Sequence, residues 1–364
     1  IYIMWKHQVL GRRWVNLRSL NKIFMKTERM TYRLVWTLML LALPMVVYPQ
    51  LSKVGTSAAE FLRIPVGARA SSMAAYTANI NDGSSMVLNP AGLATLSNSE
   101  VLIEITPWYL DMTHSFFGAA MPTEKGVFGV HVLSLNYGEF EETTAEAQGL
   151  TGRTFSAYSV SFGLTYARQL LPQFSIGGTA KVVHEQIAKS SASALAFDIG
   201  TVYQTPFDDI RFGVSVTNFG SKLQMNGNDL IISSDPDESQ SGNYEPDALL
   251  ATQAFDLPLM LKVGLTWDAF ERENARLTLS LDGNNPSNNT QSVSVGGELA
   301  LANEQVMLRA GLPYIGQEDK IETFTSGIGV RYRTSNGLGL GFSYSYHGYD
   351  YLGDVNKLSI QILF

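Results

Sequence analysis

From residue 99 onward, apolar and small or polar side chains alternate with a period of two. Tyr158, Val160, Phe162, Leu164 and Tyr166 are separated by Ser159, Ser161, Gly163 and Thr165, and Ile210, Phe212, Val214 and Val216 by Arg211, Gly213 and Ser215. Leu259, Leu261, Val263, Leu265 and Trp267 alternate with Met260, Lys262, Gly264 and Thr266 in the same way. A strand sends successive side chains to opposite faces, so each run predicts a strand with one apolar face. Fourteen runs are readable, at 99–106, 113–122, 126–137, 153–169, 173–187, 192–205, 209–219, 256–269, 274–283, 289–302, 304–312, 323–334, 336–347 and 355–364. Such a series builds a closed barrel or a soluble two-sheet sandwich.

The connections separate the two. After even-numbered strands they are short, as at Leu170-Leu171-Pro172 and Asn303; after most odd-numbered strands they are long, as at 138–152, 220–255 and 313–322. A sandwich has no reason to alternate loop length by side. A bacterial membrane barrel does, with an even strand count, tight turns at the periplasmic end and longer loops outside. The predicted fold is therefore all-β: a fourteen-stranded antiparallel outer-membrane barrel, whose apolar faces meet outer-membrane lipid. The last strand resembles the assembly signal of such barrels, which the barrel assembly machinery reads; Leu358, Ile360, Ile362 and the terminal Phe364 form its apolar face, and Lys357, Ser359 and Gln361 the other.

Residues 51–98 do not alternate. Small residues crowd Ser57-Ala58-Ala59 and Ala68 to Ala75, and Asn89-Pro90-Ala91-Gly92 is turn chemistry in which Pro90 fixes φ and Asn89 can hydrogen-bond the following backbone. This segment is either a plug of short helices inside the barrel or a periplasmic linker. Ahead of it, Lys26, Arg29 and Arg33 precede the apolar stretch from Leu34 to Tyr48. That stretch contains Pro44 and falls short of the roughly 20 residues a spanning helix needs; it has the form of a secretory signal over residues 25–50. Residues 1–24, basic and lacking acids, read as an upstream extension. The expected organisation is thus extension, signal, plug at 51–98 and barrel at 99–364.

Composition agrees. Charged residues make up 16% of the 364, against roughly 25% in soluble domains. Without residues 1–50 the chain has 18 basic and 32 acidic residues, a net charge of −14 that argues against nucleic acid as partner. With no cysteine there is neither disulfide nor thiolate metal site.

The run from Gly55 through Phe61, Pro65, Gly67-Ala68-Arg69 and Met73, followed by Asn81-Asp82-Gly83 and Asn89-Pro90-Ala91-Gly92-Leu93, resembles the amino-terminal region of the PorV/PorQ family. That family falls within the FadL-like group of fourteen-stranded barrels, whose amino-terminal hatch carries an Asn-Pro-Ala motif. The chain departs from the expected Gly-rich stretch after Gly-Ala-Arg, with Ser71-Ser72-Met73-Ala74-Ala75 in its place, which leaves the subfamily open. The resemblance implies an outer-membrane component of the type IX secretion system, with the translocon and the carboxy-terminal domains of secreted cargo as partners and no cofactor. A FadL-like transporter of hydrophobic small molecules is the alternative.

No enzyme signature emerges, since His7, His114, His131, His184 and His347 are dispersed without ligand spacing. The glycines of Gly337-Leu338-Gly339-Leu340-Gly341 would serve strand curvature or close contact with the plug. Alternation points Lys181, Asp198, Arg211, Lys262, Asp282, Glu298, Arg309, Arg331 and Arg333 to the lumen, because Arg or Lys facing lipid at mid-membrane would cost roughly 2 to 4 kcal/mol. They form ion pairs that hold the plug, or a substrate track whose charge counts against greasy cargo. The outer loops are acidic, with Glu139, Glu141, Glu142 and Glu146 in one and Asp235, Asp237 and Glu238 in another. They are solvated surface, a dock for a basic partner, or a Ca²⁺ bridge at the latter three.

Overall fold

The computed structural model describes residues 53–364, apart from 145–148, 208, 235–245, 318–319 and 335–336. The segments read as extension and signal, the loop acids Asp235, Asp237 and Glu238, and Glu146 lie outside the described residues.

The fourteen strands are β1 Glu100–Pro107, β2 Thr113–Thr123, β3 Gly126–Thr144, β4 Gly149–Leu171, β5 Phe174–Ile187, β6 Ser190–Gln204 and β7 Ile210–Gly220, then β8 Met260–Arg272, β9 Ala275–Pro286, β10 Ser292–Leu301, β11 Val306–Ile315, β12 Glu322–Arg333, β13 Gly339–Tyr349 and β14 Val355–Leu363. Each pairs antiparallel with its sequence neighbours, and β14 pairs with β1 from Glu100↔Leu363 to Ile105↔Leu358, so the sheet closes. Phe364 extends the seam by two backbone hydrogen bonds with Ser99, at the end of the barrel where the short turns lie. Closure leaves no sheet edge, the condition for strands to cross a membrane. The wall's outer face is apolar, as at Phe117, Val132, Phe162, Leu195, Leu281, Ile328 and Phe342, all exposed. Tyr166, Tyr203, Trp267 and Tyr332 add aromatic rings toward the short-turn end, as expected of an interfacial girdle.

Two expectations are corrected. Residues 138–144 and 149–152 are strand and not loop: β3 and β4 run on, their ladder persisting through register shifts between Asn136 and Glu139 and between Glu141 and Thr143. Those bulges absorb the break in alternation that read as loop in the sequence. Gly339 and Gly341 face Leu363 and Gln361 of the neighbouring strand, and Gly337 takes a turn with φ +89°, so none of them has the plug as its nearest neighbour.

Other wall glycines do. Residues 53–98 fold into four short helical pieces, Glu60–Arg63, Ala68–Met73, Ser85–Leu88 and Pro90–Thr95, and lie among buried side chains of the strands. Three glycine pairs directly opposed across neighbouring strands receive the plug: Gly177 and Gly200 meet the backbone and side chains of Asn89-Pro90-Ala91, Gly213 and Gly264 meet Thr77-Ala78, and Gly296 and Gly311 meet the Met73 carbonyl. A Cβ at any of them would collide with plug atoms. Valine at Gly177 should therefore leave the barrel folded, with its heat-modifiable gel mobility intact, while making residues 53–98 newly sensitive to protease; unchanged protection would show that the plug tolerates the side chain.

Candidate functional site

Helices of four to six residues leave most of their backbone N–H and C=O groups unpaired, and burial away from water would make each of those costly. The wall supplies the partners. Asp282 on β9 accepts the Tyr76 N–H at 2.8 Å, the Thr77 N–H at 3.0 Å and the Thr77 hydroxyl at 2.8 Å. Glu100 on β1 accepts the Gly83 N–H at 2.7 Å, and the Ser359 hydroxyl oxygen on β14 accepts that of Ala68 at 2.8 Å. The hydroxyls of Thr325 and Thr179 donate to the Ser72 and Met86 carbonyls, each at 2.9 Å, and Lys357 donates to the Pro65 carbonyl.

Both plug motifs sit in this framework. Gly67 adopts φ +84°, open to glycine at little cost, and a Cβ there would press on Ser84. Asn89, fully buried, accepts the Ala91 N–H at 3.2 Å and donates to the Thr77 and Thr201 carbonyls at 2.7 and 3.3 Å, tying the turn to the plug and to β6. Pro90 opens the following helix, and Gly92 lies so close to Ile80 that a side chain would strike its carbonyl.

The lumen has two chemically different sides. Along β2 to β6, Phe116, Leu133, Val183 and Ala194 pack with Phe61, Leu62, Met86 and Leu93 of the plug. Lys181 and Asp198 interrupt that side as a buried pair at 2.7 Å, with Lys181 also donating to Asn218. From β8 to β14 the wall carries charge. Glu298 pairs with Arg309 at 2.7 Å, Arg276 at 3.2 Å and the plug's Arg69 at 3.2 Å. Asp268 takes Arg211 at 2.9 Å and Arg276 at 3.5 Å, while Glu304 takes Arg276 at 2.8 Å and Arg331 at 3.3 Å.

Burial works against the Arg69 charge, but Glu298 and Asp82 beside it hold the guanidinium above its ordinary range. Burial and the Asp282 carboxylate push the Tyr76 phenol up, so it stays protonated. Lys262 donates to its oxygen and stands 4.3 Å from the ring centroid.

Of the charged residues that alternation pointed inward, Arg333 departs: it ends β12 exposed at the rim, beyond the ionic cluster. Sequence reasoning did not single out Glu100, Arg276 and Glu304, and it met Asp82 only within the Asn81-Asp82-Gly83 motif. Arg276 shares its strand parity with Asp282, the one signal that could have found it.

One cavity has a different character. At the long-loop end, about 360 Å³ is lined by Tyr137, Phe140, Phe155, Ala157, Ile187 and Met225, with Ser159, Glu185 and Gln186 as its polar groups. Phe140 and Phe155 are cross-strand partners with stacked rings, centroids 5.3 Å apart. Tyr137, Ser159 and Glu185 form a hydrogen-bonded chain on its wall. The plug lies beside it: Tyr137 and Met225 pack against the buried cluster that holds Ala59, Phe61 and Leu62.

The fold is that of a FadL-like fourteen-stranded outer-membrane barrel closed around an amino-terminal plug. It is similar to the toluene transporter TodX of Pseudomonas putida, at 11% identity and a TM-score of 0.52, covering 82% of this chain and 96% of that one. The toluene transporter TbuX of Ralstonia pickettii matches at 10% identity and 0.52, covering 82% and 97%, and the CymD monoaromatic hydrocarbon channel at 12% and 0.51, covering 82% and 97%. Neither a family model nor a curated protein matches the sequence.

Removing one partner of a buried charge pair costs roughly 3 to 5 kcal/mol, because the other charge is left uncompensated. Glu298→Gln, which strips three guanidiniums, should therefore loosen the plug more than Arg69→Met, which leaves Glu298 two cations. Plug openings counted as current steps in planar bilayers should rise in that order; the reverse order would mean that Glu298 is not the hub.

Proposed function

We propose that this protein is an outer-membrane transporter of hydrophobic small molecules, which it gathers at the apolar cavity of its long-loop end. The cavity carries the reading. At about 360 Å³ it lies within the roughly 300 to 1,000 Å³ typical of small-molecule sites, and it joins an apolar lining to few polar groups. It adjoins the plug on the apolar side of the lumen, so charge and greasy cargo need not share a path. Proteins of the same fold that transport toluene or conduct monoaromatic hydrocarbons support the assignment. By the loop-length rule this end is extracellular, and residues 25–50 would direct export.

The resemblance of residues 55–93 to the PorV/PorQ family gives the competing reading, a secretion component that engages translocon and cargo domains. A pocket of this size suits a small molecule and not a folded domain, and that favours transport.

Phe140→Ala with Phe155→Ala should weaken binding of the apolar fluorophore N-phenyl-1-naphthylamine to the detergent-purified protein by about tenfold, the scale of ~1.4 kcal/mol of lost apolar contact. Unchanged affinity, with the barrel folded by gel mobility, would remove the cavity as the binding site.

A further inference from the structure

At the short-turn end, across the lumen from the apolar cavity, a second cavity of about 240 Å³ is lined by Arg69, Arg211, Arg276, Arg309 and Arg331. Its position follows from the strands: Arg211 and Arg276 are the second residues of β7 and β9, and Arg331 is third from the end of β12. Formal charge is balanced, since Glu298, Glu304, Asp268 and Glu271 also line it and Asp82 backs Arg69 at 3.6 Å. Hydrogen-bonding capacity is not. Glu298 already serves three guanidiniums, and Glu304 and Asp268 two each. Every guanidinium carries five N–H donors and no acceptor. Arg211 bonds Asp268 through one Nη and Arg331 bonds Glu304 through one Nη, and the two side chains keep 25% and 32% of their surface accessible where they line the cavity. Guanidinium groups that face the cavity can donate and cannot accept, so the cavity favours an occupant that only accepts.

We infer that this cavity binds a small oxyanion, the carboxylate or phosphate group whose oxygens match the forked geometry of guanidinium. Arg211 and Arg331 contribute the open donors; Arg69 places the plug in the same site, so an anion there contacts plug and wall together. The inference is independent of the transport reading, which concerns the other end of the barrel.

The test is isothermal titration of the detergent-purified full chain with inorganic phosphate and, separately, with succinate, at constant chloride. Saturable one-site binding of either anion is expected, and the anion that binds names the head group. Arg211→Gln with Arg331→Gln should weaken it at least about tenfold. Arg272→Gln with Arg333→Gln removes the same charge from two exposed positions at that end and should leave binding unchanged. Gel mobility checks folding; should the first pair misfold, Arg211→Gln alone serves, because Asp268 keeps Arg276. No saturable heat from either anion at millimolar concentration means the cavity holds water and overturns the proposal. Equal weakening in both double variants reduces it to bulk charge and does the same.

Discussion

Everything inside the barrel answers to one constraint: an irregular backbone has been placed where water cannot satisfy it. A strand wall completes its own hydrogen bonds, but four helical pieces of six residues or fewer do not. Asp282, Glu100, Ser359, Thr325, Thr179 and Lys357 therefore act as surrogate partners from the wall. Hydrogen bonds to charged groups are worth roughly 1.5 to 3 kcal/mol each, so the carboxylates dominate this bonding. The opposed glycine pairs follow from the same constraint, since backbone reaches wall-borne donors and acceptors only where side chains are missing between them.

The division of the lumen follows from how two kinds of contact hold a plug. On the β2 to β6 side, apolar packing is non-directional and tolerates displacement; on the β8 to β14 side, ion pairs fix position. Glu298 is central because it joins two strands to the plug through Arg276, Arg309 and Arg69. The two cavities fall on the matching sides, aromatic beside the apolar packing and guanidinium-lined within the ionic network.

The barrel was highly legible because a period of two is a one-dimensional signal: Tyr158 to Tyr166 and Leu259 to Trp267 declare their faces without knowledge of any neighbour. Strand ends were less so, and β3 and β4 overran the expected loop because bulges preserve pairing where alternation lapses. Parity also placed Lys262, Asp282, Glu298, Arg309 and Arg331 inside, but it overshot at Arg333, because a strand's last residue has left the wall. The network itself was illegible. Glu298 meets Arg69 across 229 positions, and Glu304 lies in a turn that has no parity at all. The apolar cavity was hidden for the same reason: Met225 joins Phe140 and Phe155 only through the fold.

The same asymmetry decides which way past the plug is cheaper. A solute moving along the charged side would have to part Arg69, which Asp82 accompanies on the plug, from Glu298, and so break a buried ion pair. Along the apolar side it exchanges one apolar surface for another and breaks only neutral hydrogen bonds, such as those of Thr179 with Met86 and Asn89 with Thr201, worth about 0.5 to 1.5 kcal/mol each. Phe61, Leu62, Met86 and Leu93 are the plug side chains such a molecule would displace. The pair Lys181 and Asp198 lies on that side, but with Asn218 it is closed within the wall and makes no ionic link to the plug, so displacement there breaks no charge contact. On the proposed transport reading, the ionic side would be the hinge about which the apolar side yields, and a greasy solute would meet the plug on the side without ionic links.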